Sequence, residues 1–271
     1  MNEPLKVLII SQEITPYLPE SEISTLSRYL PQAIQEKGKE IRTFMPRYGC
    51  INERRNQMHE VIRLSGMNLI INDTDHPLII KVASIQAIRM QVYFIDNEEF
   101  FQRKAIVSDA SGKEFDDNDE RAIFFARGVI ETVKKLRWAP DIVHCHGWMT
   151  AFAPLYIKKV YNDDPFFKNA KVIYSVYDNE FKNKFTKDVK EKIIFDSLKP
   201  EDLSTLEGND LDYVKLSKLA IDYSDGVIQG SQDINKEVAA YAAQKKLPFL
   251  GYQNPENYAD AYDEFYNKLA K

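Results

Sequence analysis

Only two cysteines occur in this chain, Cys50 and Cys145, and they stand far apart. A disulfide framework is therefore not expected, and the pair reads as free thiols in a reducing cytoplasm. Positive charge is also in short supply: 41 acidic against 36 basic residues leave a net charge of −5. The electrostatic footprint of a nucleic-acid binder is missing, and Arg54-Arg55 is too short a basic cluster to replace it. No apolar stretch approaches the roughly 20 residues that span a bilayer. The opening Met1-Asn2-Glu3-Pro4 carries neither the charged nor the apolar region of a signal peptide. These absences set the expectation of a cytoplasmic protein with no nucleic-acid and no membrane partner. What remains is 44% hydrophobic and 28% charged, an ordinary globular composition, and 271 residues can bury a large core as one large domain or two modest ones.

Strand-like and helix-like runs alternate along most of the chain. Lys6 to Ser11 is a continuous apolar run of the kind that forms a buried parallel strand. Ser24 to Lys37 places Leu26, Tyr29, Leu30, Ala33 and Ile34 at helical spacing, and Gly38 follows as a stop. Ile41 to Met45 reads as the next strand, with a turn at Pro46 to Gly49. Residues 60 to 95 change character: 61–64, 69–71, 78–82 and 89–95 read as hairpin-linked strands, with Asn72-Asp73 and His76-Pro77 as turn material. Helical spacing returns from Asn118 to Leu136, and the acidic stretch 116–120 reads as its N-terminus. The remaining expectations are strands at 141–145, 171–176 and 226–230, and helices at 150–161, 184–197 and 212–223. Two more helices follow: one capped by Ser231 and running to Ala243, and a last amphipathic one at 256–269. The pattern predicts one doubly wound α/β domain with a small β insertion, and no repeat or low-complexity linker.

The loop between the first strand and first helix, Pro16 to Ile23, sits where a parallel sheet presents its carboxyl edge and a helix N-terminus favours anions. Phosphate-cradling loops at this place use glycines and often a lysine. This loop has neither. It carries Pro19, Glu20, Ser21 and Glu22 instead, so the anion hole is expected to be filled by the protein's own charge. A helix-capping role for Glu20, Ser21 and Glu22 is the simpler reading, since acids favour a helix's first turn.

Several blocks in order resemble bacterial glycogen and starch synthases: 11–16, Leu30-Pro31, Lys37-Gly38, 45–49, 93–103, 117–121, 138–148, and 223–231 with Glu237. The similarity runs in register over roughly residues 6 to 238. It implies a Rossmann-like amino-terminal lobe of a GT-B glycosyltransferase, over residues 1–247, with 248–271 as a capping helix on the same domain. In that family the first lobe mainly holds the glucan acceptor and the second holds most of the ADP-glucose. Residues 257–269 resemble the family's closing helix, which crosses back from the second lobe onto the first. The resemblance therefore implies a retained first lobe with its terminal helix and no donor lobe. Any amphipathic capping helix fits the same residues.

The motifs that carry the family's chemistry are altered. Where its phosphate loop has lysine, a variable residue, two glycines and leucine, this chain has Pro19, Glu20, Ser21, Glu22 and Ile23. Losing such a cation costs about a hundredfold or more in rate. The His-x-His-Asp-Trp block is His144-Cys145-His146-Gly147-Trp148, so Gly147 replaces the aspartate that binds sugar hydroxyls. His144 and His146 lie two apart on a strand and are expected to point the same way, held by hydrogen bonds at the sheet edge. No third ligand with metal spacing accompanies them, and no partner makes Cys145 a nucleophile. Where the family has a histidine lining its catalytic centre, this chain has Tyr177, followed by Asp178 and Asn179. Pro19, Gly147 and Tyr177 are thus the degenerate positions. His146, Trp148, Tyr177 and Asp178 are the candidates for glucan contact, although most aromatics are expected in the core.

These changes predict a pseudoenzyme: a single-lobe relative, inactive alone as a glucosyltransferase, that binds α-glucan or a partner protein and needs no cofactor or metal. The alternative is an ADP-glucose-dependent α-1,4-glucan glucosyltransferase completed by a second polypeptide that supplies the donor lobe. A third reading is a protein-interaction domain that uses the surface a missing lobe leaves bare.

Overall fold

The run Val7-Leu8-Ile9-Ile10 is fully buried, as a strand must be when helices cover both faces of its sheet. It belongs to β1 (Lys6–Ser11), the middle of a ten-stranded sheet in a computed structural model that describes residues 3–88, 90–206 and 208–271. The other strands are β2 (Glu40–Pro46), β3 (His59–Glu60), β4 (Met67–Ile71), β5 (Thr74–Ile85), β6 (Met90–Asp96), β7 (Ile142–His146), β8 (Lys171–Val176), β9 (Gly226–Gln229) and β10 (Phe249–Leu250). The helices are α1 (Glu22–Glu36), α2 (Glu98–Phe101), α3 (Asn118–Lys135), α4 (Phe152–Lys159), α5 (Val189–Ile193), α6 (Tyr213–Asp222), α7 (Lys236–Gln244) and α8 (Tyr258–Leu269).

The strand order is β10-β9-β8-β7-β1-β2-β6-β5-β3, with β4 paired to β5 alone. From β10 to β6 every pairing is parallel, and β3, β4 and β5 add antiparallel strands at one edge. From β1 the chain first winds outward through β2 and β6. It then returns to β7, on the other side of β1, and winds outward through β8, β9 and β10. The reversal between β1 and β7 is the switch point at whose carboxyl edge ligand clefts form in such sheets.

Side chains alternate between the two faces. Leu8, Ile10, Val143, Cys145, Val172 and Tyr174 join the larger core, packed with buried residues of α3, α4 and α6. Val7, Ile9, Ile142, Ile173 and Ile228 join a second core under Leu30 and Ile34 of α1 and Tyr262, Phe265 and Tyr266 of α8. The terminal helix therefore seals one sheet face, and Lys37–Asp260 and Lys39–Asp263 ion pairs hold it against the end of α1.

Several local expectations need correction. Residues 61–64 do not form a strand: Leu64 N–H bonds back to the Val61 carbonyl and Ser65 Oγ accepts from Ile80 N–H, which turns the chain. His76-Pro77 is not a turn but lies inside β5. Its register with β6 begins only at Ile79, so the missing Pro77 N–H faces no strand. Of the expected helix at 184–197 only α5 forms, because Phe185 and Leu211 exchange both backbone hydrogen bonds. The cap of α7 is Asn235, whose side chain accepts from Glu237 and Val238 N–H, and not Ser231. Arg89, placed at the head of a strand from sequence, and Met1-Asn2 lie outside the described residues.

Candidate functional site

The loop leaving β1 folds back onto the start of α1 through one serine pair. Ser21, in extended conformation (φ −143°, ψ 169°), accepts the Ser24 N–H at 3.0 Å, and Ser24 Oγ accepts the Ser21 N–H at 2.7 Å. This reciprocal cap uses donors that an anion at the helix end would need. Ser21 Oγ donates onward to Glu13 Oε2 at 2.8 Å, and Ser24 Oγ donates to the Pro19 carbonyl at 2.9 Å. Burial raises the Glu13 pKa, against the hydrogen bonds from Ser21 and Gln12. Glu20 and Glu22 remain exposed at the lip of the helix, and Glu22 accepts a hydrogen bond from Ser231 Oγ. Capping is therefore the local role of Ser21, and two carboxylates stand beside it.

On the facing strand β7, His144 and His146 do point the same way, their ring centroids 3.8 Å apart. His144 bonds the Tyr266 hydroxyl through Nδ1 and the Ser175 hydroxyl through Nε2, both at 2.6 Å. His146 Nδ1 bonds the Tyr177 hydroxyl at 2.8 Å, and its buried Nε2 has no partner. Both rings are fully buried. Burial pushes the His144 pKa well below the usual imidazole range, helped by His146, and brings His146 down to about 3. Two neutral imidazoles shut away from solvent cannot exchange protons with a substrate at neutral pH.

Gly147 follows with φ +83° and ψ 163°, a region open essentially to glycine alone. A Cβ here would sit 2.9 Å from Gln12 Oε1, 3.1 Å from Ile23 Cδ1 and 3.2 Å from Asn179 Nδ2. Gln12 is itself buried, its carbonyl oxygen accepting from Met149 N–H at 3.3 Å and from Asn179 Nδ2 at 3.2 Å. A side chain reaching from position 147 into the cleft would have to displace that amide pair.

Tyr177, at the end of β8, is 1% exposed. Its carbonyl accepts from the Tyr213 hydroxyl at 2.8 Å, and its ring lies so close beneath Gly230 that a Cβ there would meet it at 2.5 Å. Burial, then Tyr262, Tyr266 and Glu22, drive its pKa well above the usual phenol range. Asp178 is exposed, and its N–H donates to Ser231 Oγ at 3.0 Å. Trp148 is 2% exposed and packs on Phe181, with centroids 4.8 Å apart.

The sequence candidates thus separate. Glu20, Ser21, Glu22, Tyr177, Asp178 and His146 converge at the carboxyl edge. Of them, His146 and Tyr177, together with the neighbouring Trp148, turn inward and present no ring face to solvent. The open space beside them is a cleft of about 600 Å³ that α8 closes on one side. Glu20, Ser21 and Glu22 line it together with Tyr29, Tyr252, Tyr258 and Tyr262. Sequence reasoning missed this tyrosine wall, although Tyr258, Tyr262 and Tyr266 at successive four-residue steps form one readable face of α8. It also missed Gln12 and Asn179, and gave Ser231 the wrong role. Among the described residues no group of three or more His, Cys, Asp or Glu side chains could hold a metal ion.

Residues 6–248 match the family described as starch synthase catalytic domain. A glycogen synthase of Chlorobium luteolum is 36% identical over 200 residues, covering 73% of this chain and 40% of the relative. One from Pelodictyon phaeoclathratiforme is 32% identical over 234 residues, covering 86% and 47%. The solved catalytic domain of starch synthase IV from Arabidopsis thaliana, bound to ADP and acarbose, superposes with a TM-score of 0.76 at 19% identity. That superposition covers 93% of this chain and 52% of the plant domain. The chain spans about half the length of the relatives it matches.

Proposed function

This chain belongs to the starch synthase catalytic domain family, and from that premise we propose that it is an α-glucan-binding module that does not by itself transfer glucose from ADP-glucose. The observation that carries the proposal is the occupied anion place at the start of α1. The serine cap takes up helix-end donors, and Glu20 and Glu22 add negative charge where a sugar nucleotide's diphosphate would need a cation. The histidine that lines the family's catalytic centre is replaced by Tyr177, which is locked beneath Gly230. Glucan binding is supported by the remaining cleft, whose tyrosine faces and carboxylate acceptors suit sugar rings and hydroxyls. The solved plant relative holds acarbose, a sugar-like ligand, on the same fold.

The test is incorporation of radiolabelled ADP-glucose into glycogen by the purified chain, beside calorimetric titration with maltooligosaccharides. We expect no incorporation, and measurable heat at millimolar maltooligosaccharide. Extension of glycogen by these residues alone overturns the first half of the proposal, and absent heat overturns the second. The coverage of about half of each relative favours one other reading, in which a donor lobe outside these residues completes an ADP-glucose-dependent glucosyltransferase. Incorporation that appears only when cell extract is added together with this chain would mark that case.

A further inference from the structure

The cleft between α1, the 252–255 segment and α8 combines aromatic walls with two carboxylates at its lip. Glu20 and Glu22 both line it, and neither has an ion-pair partner among the described residues; the only bond described for the Glu22 carboxylate comes from a neutral hydroxyl, that of Ser231. Tyr252 and Tyr258 are partly exposed on this wall, and Tyr258 is braced edge to face by the buried Tyr262, their centroids 6.2 Å apart at 89°. Tyr29, half exposed on the opposite side, already attracts a cation: the Arg28 guanidinium carbon lies 5.0 Å above its ring. The serine cap, meanwhile, occupies donors at the α1 terminus that would otherwise draw an anion.

We propose that this cleft binds an organic cation, an alkylammonium or guanidinium group, seated between the tyrosine faces and the two carboxylates. The inference rests on the reading of the cleft as a binding site with no place for a diphosphate, and it names the charge class that the site selects. Ring quadrupoles attract such cations, and guanidinium above all gives up its water more readily than a compact ion does. A volume of about 600 Å³ accommodates a ligand of small-molecule size. The cation can come from a free polyamine or from a basic side chain on a peptide.

Calorimetric titration of the whole chain tests this with four probes: spermidine, a capped arginine-containing tripeptide, maltoheptaose and ADP. We expect a cationic probe to bind at millimolar concentration or below, ADP to give no heat, and the stronger cationic probe to identify the source. The Glu20→Gln/Glu22→Gln double variant should weaken cation binding about tenfold, because it removes both charges and keeps the shape. Tyr252→Leu, checked for an unchanged melting transition, should weaken it by a similar factor. Absent binding of both cations overturns the inference, as does binding that neither variant alters. Maltoheptaose binding without cation binding overturns this inference and leaves the glucan reading standing. Cation binding without maltoheptaose binding does the reverse.

Discussion

Substituting Gly147 tests how firmly the altered centre is built. Its backbone, at φ +83° and ψ 163°, lies in a region whose strain for other residues is on the order of 1–3 kcal/mol. An added Cβ also lands 2.9 to 3.2 Å from Gln12 Oε1, Ile23 Cδ1 and Asn179 Nδ2. Moving Gln12 aside weakens its bonds to Met149 N–H and Asn179, each worth about 0.5–1.5 kcal/mol. Gly147→Ala should therefore destabilise the fold by about 2–4 kcal/mol, a fall in Tm of roughly 5–15 °C for a domain of this size. Gly147→Asp, the residue that the resemblance to glycogen and starch synthases implies here, should cost at least as much, because its carboxylate must also find room beside the Gln12–Asn179 pair. Urea unfolding followed by circular dichroism measures both, with m-values checked for constancy. A Gly147→Ala variant within about 0.5 kcal/mol of the parent would refute the reasoning, since neither strain nor crowding could then hold at this position.

Other expectations follow from the same geometry. Tyr177→Phe leaves His146 with both ring nitrogens buried and unbonded, so it should cost about 1–3 kcal/mol in urea unfolding, and a neutral result would mean that the hydroxyl contact does not form. The depressed pKa of His146 sets a pH dependence: near pH 7 the ring is neutral folded and unfolded, whereas below about 6.5 only the unfolded chain takes up the proton. Stability is thus full above that value and is lost as pH falls toward about 3, with His146 alone contributing about 2 kcal/mol of loss at pH 5; an unfolding free energy that is flat from pH 7 to 5 would contradict this. Asn235→Ala should cost about 1 kcal/mol as a lost helix cap. Ser231→Ala should cost about as much through Glu22 and Asp178 while leaving helical circular dichroism unchanged, and a loss of helix signal there would restore Ser231 as the cap.

The sheet was legible because buried parallel strands leave largely apolar runs, and the runs of β1 and β8 are of that kind. The parity of His144 and His146 followed from strand geometry alone, since side chains two apart share a face. What the sequence hid were choices between local and distant partners. Ser231 has the chemistry of a cap but spends its hydroxyl on Glu22, more than 200 positions away in the chain. His76-Pro77 looks like a turn, yet the pair lies where β5 has a neighbour on one side only. Trp148 and Tyr177 look like sugar-stacking residues, and no local pattern records that Phe181 and Gly230 close over them. The tyrosines of the open cleft come from α1, α8 and the segment before α8, which only the closing of α8 on α1 brings together.

The departures at this centre interlock. Tyr177 can fill its place because position 230 has no Cβ, and its hydroxyl satisfies a histidine that would otherwise be buried with neither nitrogen bonded. Gly147 adopts a conformation that leaves room for Gln12 and Asn179 to bond each other where a longer side chain would project. Glu22 reaches Ser231, and Ser231 in turn fixes the Asp178 backbone next to Tyr177. Groups coupled through shared hydrogen bonds do not respond independently to substitution. Changing one of these positions therefore breaks contacts at two or three others. A set of contacts with that property behaves as one self-consistent packing of the centre.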